Sequence, residues 1–513
     1  MMVRRAPQPC RPRARLLWHG LPRPTPPFPA WLTHRLATPA GSGAARGSGD
    51  PATLLEPGPV PSRSALLGVG LVAFTYVTWF RVSGIASTFM LLGDQVRDWA
   101  IALGPAADLP LAGAPSMAGG RGLGPVYYWV IWAARVTIGP WCDNLPHAGG
   151  IGVSLLQSGA DLTLLTALWR RFRSGVLATT TVLLIATSPF DAAVNASVWN
   201  PPVAVAFTKM AIAATLLGHG ERSRLALIST AVAAWLAVQA HASAVFAVAP
   251  LLAWLVIRPL VRRGVAASAW AAYDVVAIIA ILQVPFFLHH VRYGAAQGGG
   301  PARAVGAMSS LTSGDAGSTL LASAAELLRM VTAILAEPWR PGWARAALAC
   351  AAVVVVLRAR RIGVEWMFVS VLPLVLAAVA YSPFPERRDY WYLALAPGAA
   401  AMVAAAIAAP DPRRRAWRAI AWVTLAAVLA LQPARYQYSR KIGRLPEYGA
   451  LVTGSRQILH DGVRPRAIEA GFRLDTTDPG FLFTVLGGRF DEQSTLHAEI
   501  LPTGGVRYRV LPR

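Results

Sequence analysis

Charged residues are scarce in this chain. Asp, Glu, Lys and Arg make up 14% of 513 residues, where a soluble domain carries about a quarter. Hydrophobic residues reach 55% and gather in repeated apolar blocks, so the shortage excludes a soluble globular class and points to lipid as the solvent. Acidic residues are scarcer still, 25 against 48 Lys and Arg, a formal net charge of +23. That excess does not make a nucleic-acid protein. The arginines sit in short clusters between apolar blocks and in the N-terminal tail, with no basic groove interleaved with aromatics. Cytoplasmic loops of membrane proteins collect such clusters. Three cysteines, Cys10, Cys142 and Cys350, are too few and too scattered for a disulfide framework or a metal knuckle.

What is present is a succession of hydrophobic segments. Residues 1–62, rich in Pro, Arg, Gly and Ala, cannot bury enough apolar surface to fold alone. They read as a disordered cytoplasmic tail or as sequence upstream of the true start. The spans expected over 63–433 lie near 64–84, 149–169, 175–190, 202–218, 224–240, 243–258, 267–289, 343–357, 363–381, 391–409 and 415–432, eleven in all. The fold class is therefore an all-α polytopic membrane bundle. Residues 434–513 form a small α/β appendage, in which GFLFTVLGG and the hairpin LHAEILPTGGVRYRVLP read as strands.

The block 122–139 decides the topology. If it does not cross, the clusters at Arg170, Arg222, Arg258, Arg358 and Arg413 all share a side with the basic tail; if it crosses, they contradict it. The positive-inside rule favours an interfacial or re-entrant helix there, with Tyr127, Tyr128 and Trp129 at headgroup level. The expected orientation in the cytoplasmic membrane has the N-terminus inside and the C-terminus outside. The loops 85–148 and 290–342 and the turn at 195–201 then face outward.

The first outer loop holds the best chemistry. In Gly93-Asp94-Gln95-Val96-Arg97-Asp98, a helix places Asp94 and Asp98 four residues apart on one face, with Arg97 beside them. Two carboxylates at a membrane surface can take a proton from a hydroxyl or hold a divalent cation. The structural alternative is a helix whose acids favour its own N-terminal dipole. Two further acids, Asp161 and Asp274, fall within spans near their inner ends. Intramembrane acids are functional suspects, and they are the main argument for a transporter or flippase of lipid-linked saccharides.

The stretch GDQVRDWAIAL, then LPLAGAPSMAGGRGLGPVYYWV, then a hydrophobic helix ending in LWRRF, resembles the polyprenyl-phosphate-dependent glycosyltransferases of the GT-C class. The resemblance is to bacterial relatives of protein O-mannosyltransferases and lipid A aminoarabinose transferases. Trp199-Asn200-Pro201 and Gln239-Ala240-His241 match further turns of that class, and the resemblance covers roughly residues 64–400. It departs at Asp94-Gln95, where many members have Asp-Glu, and at Gly124-Pro125, where many have Lys-Pro-Pro. The resemblance implies a GT-C-like bundle with interfacial helices in the first outer loop, and Asp94 as a general base with Asp98 as a second acid. It implies a polyprenyl-phosphate-sugar donor, transfer with inversion, and a cell-envelope glycan, lipid or protein as acceptor. By their outer position, Arg121, Arg387 and Arg388 are the candidates for the lipid phosphate, the last two reading equally as an interfacial anchor belt. Arg97, beside its two acids, and Tyr127, Tyr128 and His241 complete the substrate-binding set. No metal ligand set is assigned. No nucleotide-binding Gly-rich loop is visible, in keeping with a lipid-linked donor.

Overall fold

The computed structural model describes residues 62–89, 91, 93–115, 121–142, 146–188, 191, 194–218, 223–294, 316–336, 342–382, 389–408, 447–472 and 478–510. Among them, seven helices are long and apolar enough to cross a membrane, and three shorter apolar helices accompany them. The chain is a multi-pass membrane protein.

Helix α1 (Arg63–Val82) is capped by Ser62, whose side chain accepts from the Ala65 amide. Two short helices follow, α2 (Ile85–Thr88) and α3 (Gly93–Leu103), then α4 (Val126–Ile138). Helix α5 (His147–Phe172) descends through the bundle, and α6 (Gly175–Ala186) returns after a cap by Ser174. Helix α7 (Asn200–Leu217) opens with Pro201 and Pro202 in its first turn, where the missing amides cost nothing. Helices α8 (Arg224–Ala240), α9 (Ala244–Arg263) and α10 (Val265–Tyr293) complete the first half. Gly264, at φ 86°, makes the abrupt turn between α9 and α10 that an L-residue would resist.

The second half holds α11 (Ala316–Ala336) and α12 (Gly342–Ile362). A π-helical turn, Met367–Val371, runs into α13 (Leu372–Tyr381), and a 3-10 segment, Asp389–Leu395, into α14 (Ala396–Ala408). Ten of the expected spans coincide with these helices; the eleventh, 415–432, lies outside the described residues.

The ends of the bundle differ. Arg171 donates to the Ile362 carbonyl and, at 2.7 Å, to Glu365, and Arg258 donates to the Gly218 carbonyl at 2.8 Å. The helix ends bearing the clusters at Arg170, Arg258 and Arg358 thus meet on one side, while Arg222 and Arg413 lie outside the described residues. Helix α4 has 13 residues, about 20 Å of rise, too short for a hydrocarbon core of about 30 Å. It stays at the opposite end, with α3. Tyr127 and Tyr128 are wholly buried, which corrects their expected headgroup-level exposure: they point into the protein, and Trp129 is the exposed member.

The segment 290–342, expected as a long outer loop, contains α11, which satisfies the length and hydropathy of a span. Its surroundings place it at the α3 end. Helix α12 finishes at Arg171, so its first residue lies at the other end, and only residues 337–341 separate it from α11. Ser323 also donates to the Ala378 carbonyl at 2.6 Å, one turn from the α13 terminus at Tyr381.

The C-terminal part comprises α15 (Glu447–His460), α16 (Pro479–Val485) and a three-stranded sheet of β1 (Ala467–Ala470), β2 (Leu496–Ile500) and β3 (Val506–Val510). Strand β1 runs parallel to β2, with Ala467 opposite His497, and β2 forms the expected hairpin with β3, Leu496 opposite Val510. The expected strand GFLFTVLGG is instead helix α16. Asp478 caps it, accepting from the Gly480 and Phe481 amides, and Pro479 starts it, a helix-entry signal outweighing the apolar run. Tyr448 of α15 packs its ring against Phe89 and His147, each at 5.5 Å, so this part docks on the α3 end of the bundle.

Candidate active site

Helix α3 presents its acids unequally. The Asp94 side chain is 68% exposed and that of Asp98 only 1%. Arg97 bridges them, with Nη1 2.8 Å from Asp94 Oδ1 and Nε 2.9 Å from Asp98 Oδ1. The Tyr128 hydroxyl donates to the same Asp98 oxygen at 3.0 Å. Burial pushes the Asp98 carboxyl above its ordinary value, opposed by Arg97 and Tyr128. Burial beside that carboxylate raises the Tyr127 and Tyr128 phenols, which stay protonated donors. Asp98 thus anchors Arg97, and Arg97 holds Asp94 at the surface. A divalent cation does not fit between these acids, because the guanidinium fills the place it would take. Among the described residues no cluster of three His, Cys, Asp or Glu side chains can hold one.

The Gly/Pro-rich segment after α3 folds back on itself, with Gly122 donating to Ala114 at 2.8 Å and Gly113 to Gly122 at 3.0 Å. A Cβ at Gly113 would lie 2.8 Å from the Gly124 carbonyl oxygen, and one at Gly124 would overlap the Gln239 side chain. Gln239 donates onward to the Leu282 carbonyl at 2.6 Å, so this fold-back packs against a side chain that ties the end of α8 to the middle of α10. It carries Arg121 to where its charge acts on both Tyr128 and His289. Two nitrogens here are buried and have no hydrogen-bond partner, Arg121 Nε and His289 Nδ1, while the Tyr127 hydroxyl lies beside Asp98.

Trp199-Asn200-Pro201 and Gln239-Ala240-His241 meet in space. Asn200 donates to the Ala240 carbonyl at 3.1 Å, and Tyr390 packs edge-on against both Trp199, at 5.2 Å, and His241, at 5.7 Å. Burial lowers the His241 pKa to about 4, and Nδ1 is 2.6 Å from Ser243 Oγ. His241 is therefore neutral near pH 7. It offers a hydrogen bond, and no cationic attraction for a phosphate.

No protein-family model matches the sequence, and no curated protein matches it. Solved structures do. The crystal structure of ArnT from Cupriavidus metallidurans in the apo state aligns with TM-score 0.53 and 15% identity, over 84% of this chain and 86% of that one. The fold is of the GT-C kind. ArnT bound to undecaprenyl phosphate aligns with TM-score 0.49 and 15% identity, over 83% of this chain and 84% of that one. Arabinofuranosyltransferase AftD from mycobacteria aligns with TM-score 0.38 and 16% identity, over 80% of this chain but only 30% of that one.

Within this GT-C fold the structure gathers Asp94, Arg97, Asp98, Arg121, Tyr127 and Tyr128 at one end, and His241 at the same end in its own aromatic nest. Arg387 and Arg388 lie outside the described residues. Three features escaped sequence reasoning. Sequence alone assigns His289 no role, although its place near the end of a span is readable. Gly113 carries no signal beyond composition, and Gly124 stands out only as a departure from Lys-Pro-Pro. Asp161 does not stand alone: Arg81 Nη2 and Lys209 Nζ each lie 2.7 Å from it, and Arg81 Nε lies 2.9 Å from Asp191. These four buried groups, two of each sign, join α1, α5 and α7 to the segment preceding Trp199. Asp274, the other intramembrane acid, pairs with Arg224 at 2.8 Å.

Proposed function

We propose that this protein is an integral-membrane glycosyltransferase. It moves a sugar from a polyprenyl-phosphate carrier to a hydroxyl acceptor, a cell-envelope glycan, lipid or protein, at the outer face of the cytoplasmic membrane. The observation that carries the reading is the contrast at α3: an exposed carboxylate, fixed by an arginine that a buried carboxylate anchors, beside Arg121, whose buried Nε lacks a partner. The GT-C fold supports it. So does the charge balance around Asp161, which leaves that acid paired rather than poised for proton-coupled transport.

In this mechanism Asp94 takes the proton of the acceptor hydroxyl as its oxygen bonds to the anomeric carbon. The bond from that carbon to the phosphate oxygen breaks, with inversion, and polyprenyl phosphate leaves with the electron pair. A positioned base supplies roughly 10²–10⁴ in rate. Arg97 keeps Asp94 aimed until the proton arrives, and Asp98 then retains the guanidinium. Arg121 donates to the departing phosphate through charge-assisted bonds. Arg387 and Arg388 remain in this phosphate set on the sequence argument.

Retention of polyprenyl phosphate by the purified protein, followed by native mass spectrometry, tests the phosphate site. Arg121→Gln is expected to lower retention about ten-fold or more, the worth of one charged hydrogen bond. Undiminished retention would move the phosphate elsewhere.

A further inference from the structure

We propose a second anion site at the arginine end of the bundle, which binds the phosphate of an anionic phospholipid. A cavity of about 620 Å³ opens there between the end of α7, the start of α8, the end of α9 and the start of α10, a size usual for ligand sites. Arg224, Arg258, Arg262 and Arg263 line it, with Asp274 as the acidic member of the lining. Arg224 is spent on Asp274, at 2.8 and 3.2 Å. Arg258 donates to the Gly218 carbonyl and feels Glu365, which Arg171 already pairs at 2.7 Å. Arg262 and Arg263 form no ion pair among the described residues and are exposed. Arg258 and Arg262 are one helical turn apart, so like charges crowd one wall.

The C-terminal dipole of α9 accounts for part of this crowding, but a dipole does not require a cavity. The shape asks for an occupant with at least one negative charge, and the surroundings say that it has acyl chains. Trp270 lines the cavity and is 69% exposed, which suits an indole at the headgroup level. Beyond it, Ile281 and Leu288 continue along the same face of α10 with more than half their surface bare. A headgroup phosphate held by Arg262 and Arg263 places its chains along that face. Basic recesses between helices on the cytoplasmic side recognise lipids in this way. The site is independent of the proposed transfer, which takes place at the other end.

The test is native mass spectrometry of the full-length protein from nanodiscs with equal phosphatidylglycerol and phosphatidylcholine. Wild type is expected to keep phosphatidylglycerol about ten-fold in preference. Arg262→Gln/Arg263→Gln should lose that preference. Ala267→Phe, which fills the cavity and spares every arginine, should lose it too. Arg170→Gln/Arg360→Gln removes the same charge from exposed positions outside the cavity and should keep it. An equal loss in the Arg170/Arg360 pair would mean a diffuse basic belt and would overturn the site. Displacement of the lipid by millimolar inorganic phosphate would overturn its identity as a phospholipid site.

Discussion

Asp94 and Asp98 are the same residue type one helical turn apart, and their surroundings separate their roles. The exposed acid can reach an acceptor; the buried one is committed to Arg97 and Tyr128. Sequence spacing put both on one face and stopped there, because burial depends on α4 arriving from 30 residues away. His241 shows the same limit from the other direction: its position at a turn was legible, its neutrality was not. Its lowered pKa carries a pH prediction. A folded state that disfavours the protonated imidazole is stabilised above the ordinary value of 6.5, and loses that contribution as the pH falls toward about 4. The melting temperature of the detergent-solubilised wild type should therefore fall more steeply between those pH values than that of His241→Gln. Parallel curves would mean that His241 is not buried as described.

At the scale of elements, the long apolar helices were readable from hydropathy because each needs only its own composition to be recognised. The buried quartet was not, since Arg81 and Asp191 are 110 residues apart in sequence. Removing one partner strands a charge in an apolar interior. Asp161→Asn is expected to cost roughly 3–5 kcal/mol, and Asp161→Asn/Lys209→Met, which restores the balance, to recover more than half of it in thermal unfolding. A double variant no better than the single would show that pairing is not what holds α1, α5 and α7 together. The fold-back of the first loop rests on small residues in the same way. In Gly124→Ala the new methyl displaces Gln239, and with it the seat of Arg121. Transfer should drop about ten-fold or more while the protein still inserts, as misplaced groups cost rate steeply. Normal turnover would separate that contact from the chemistry.

For the whole molecule, the sequence placed the arginine clusters at one end and the acidic motif at the other, and the contacts of Arg171 and Arg258 agree. It missed α11, whose 21 residues have the length and hydropathy of a span but fell inside a stretch taken for a loop. It also turned α16 into a strand, since seven apolar residues carry too little periodicity to distinguish the two. Neither error touched the site, because the acidic motif, the Trp199 turn and the His241 turn are local signals that the bundle brings together. The division of labour proposed here puts transfer at the α3 end and anionic lipid at the arginine end, with the charged quartet between them. Its central claim is that Asp94 accepts the acceptor's proton. The most direct measurement is the level of polyprenyl-phosphate-linked sugars, by mass spectrometry, in cells lacking the protein and restored with wild type or Asp94→Asn. A carrier-linked sugar that accumulates in the null and in Asp94→Asn, and clears with wild type, is the predicted result, with turnover lowered about 10²-fold or more. Clearance by Asp94→Asn at the wild-type level would contradict the account.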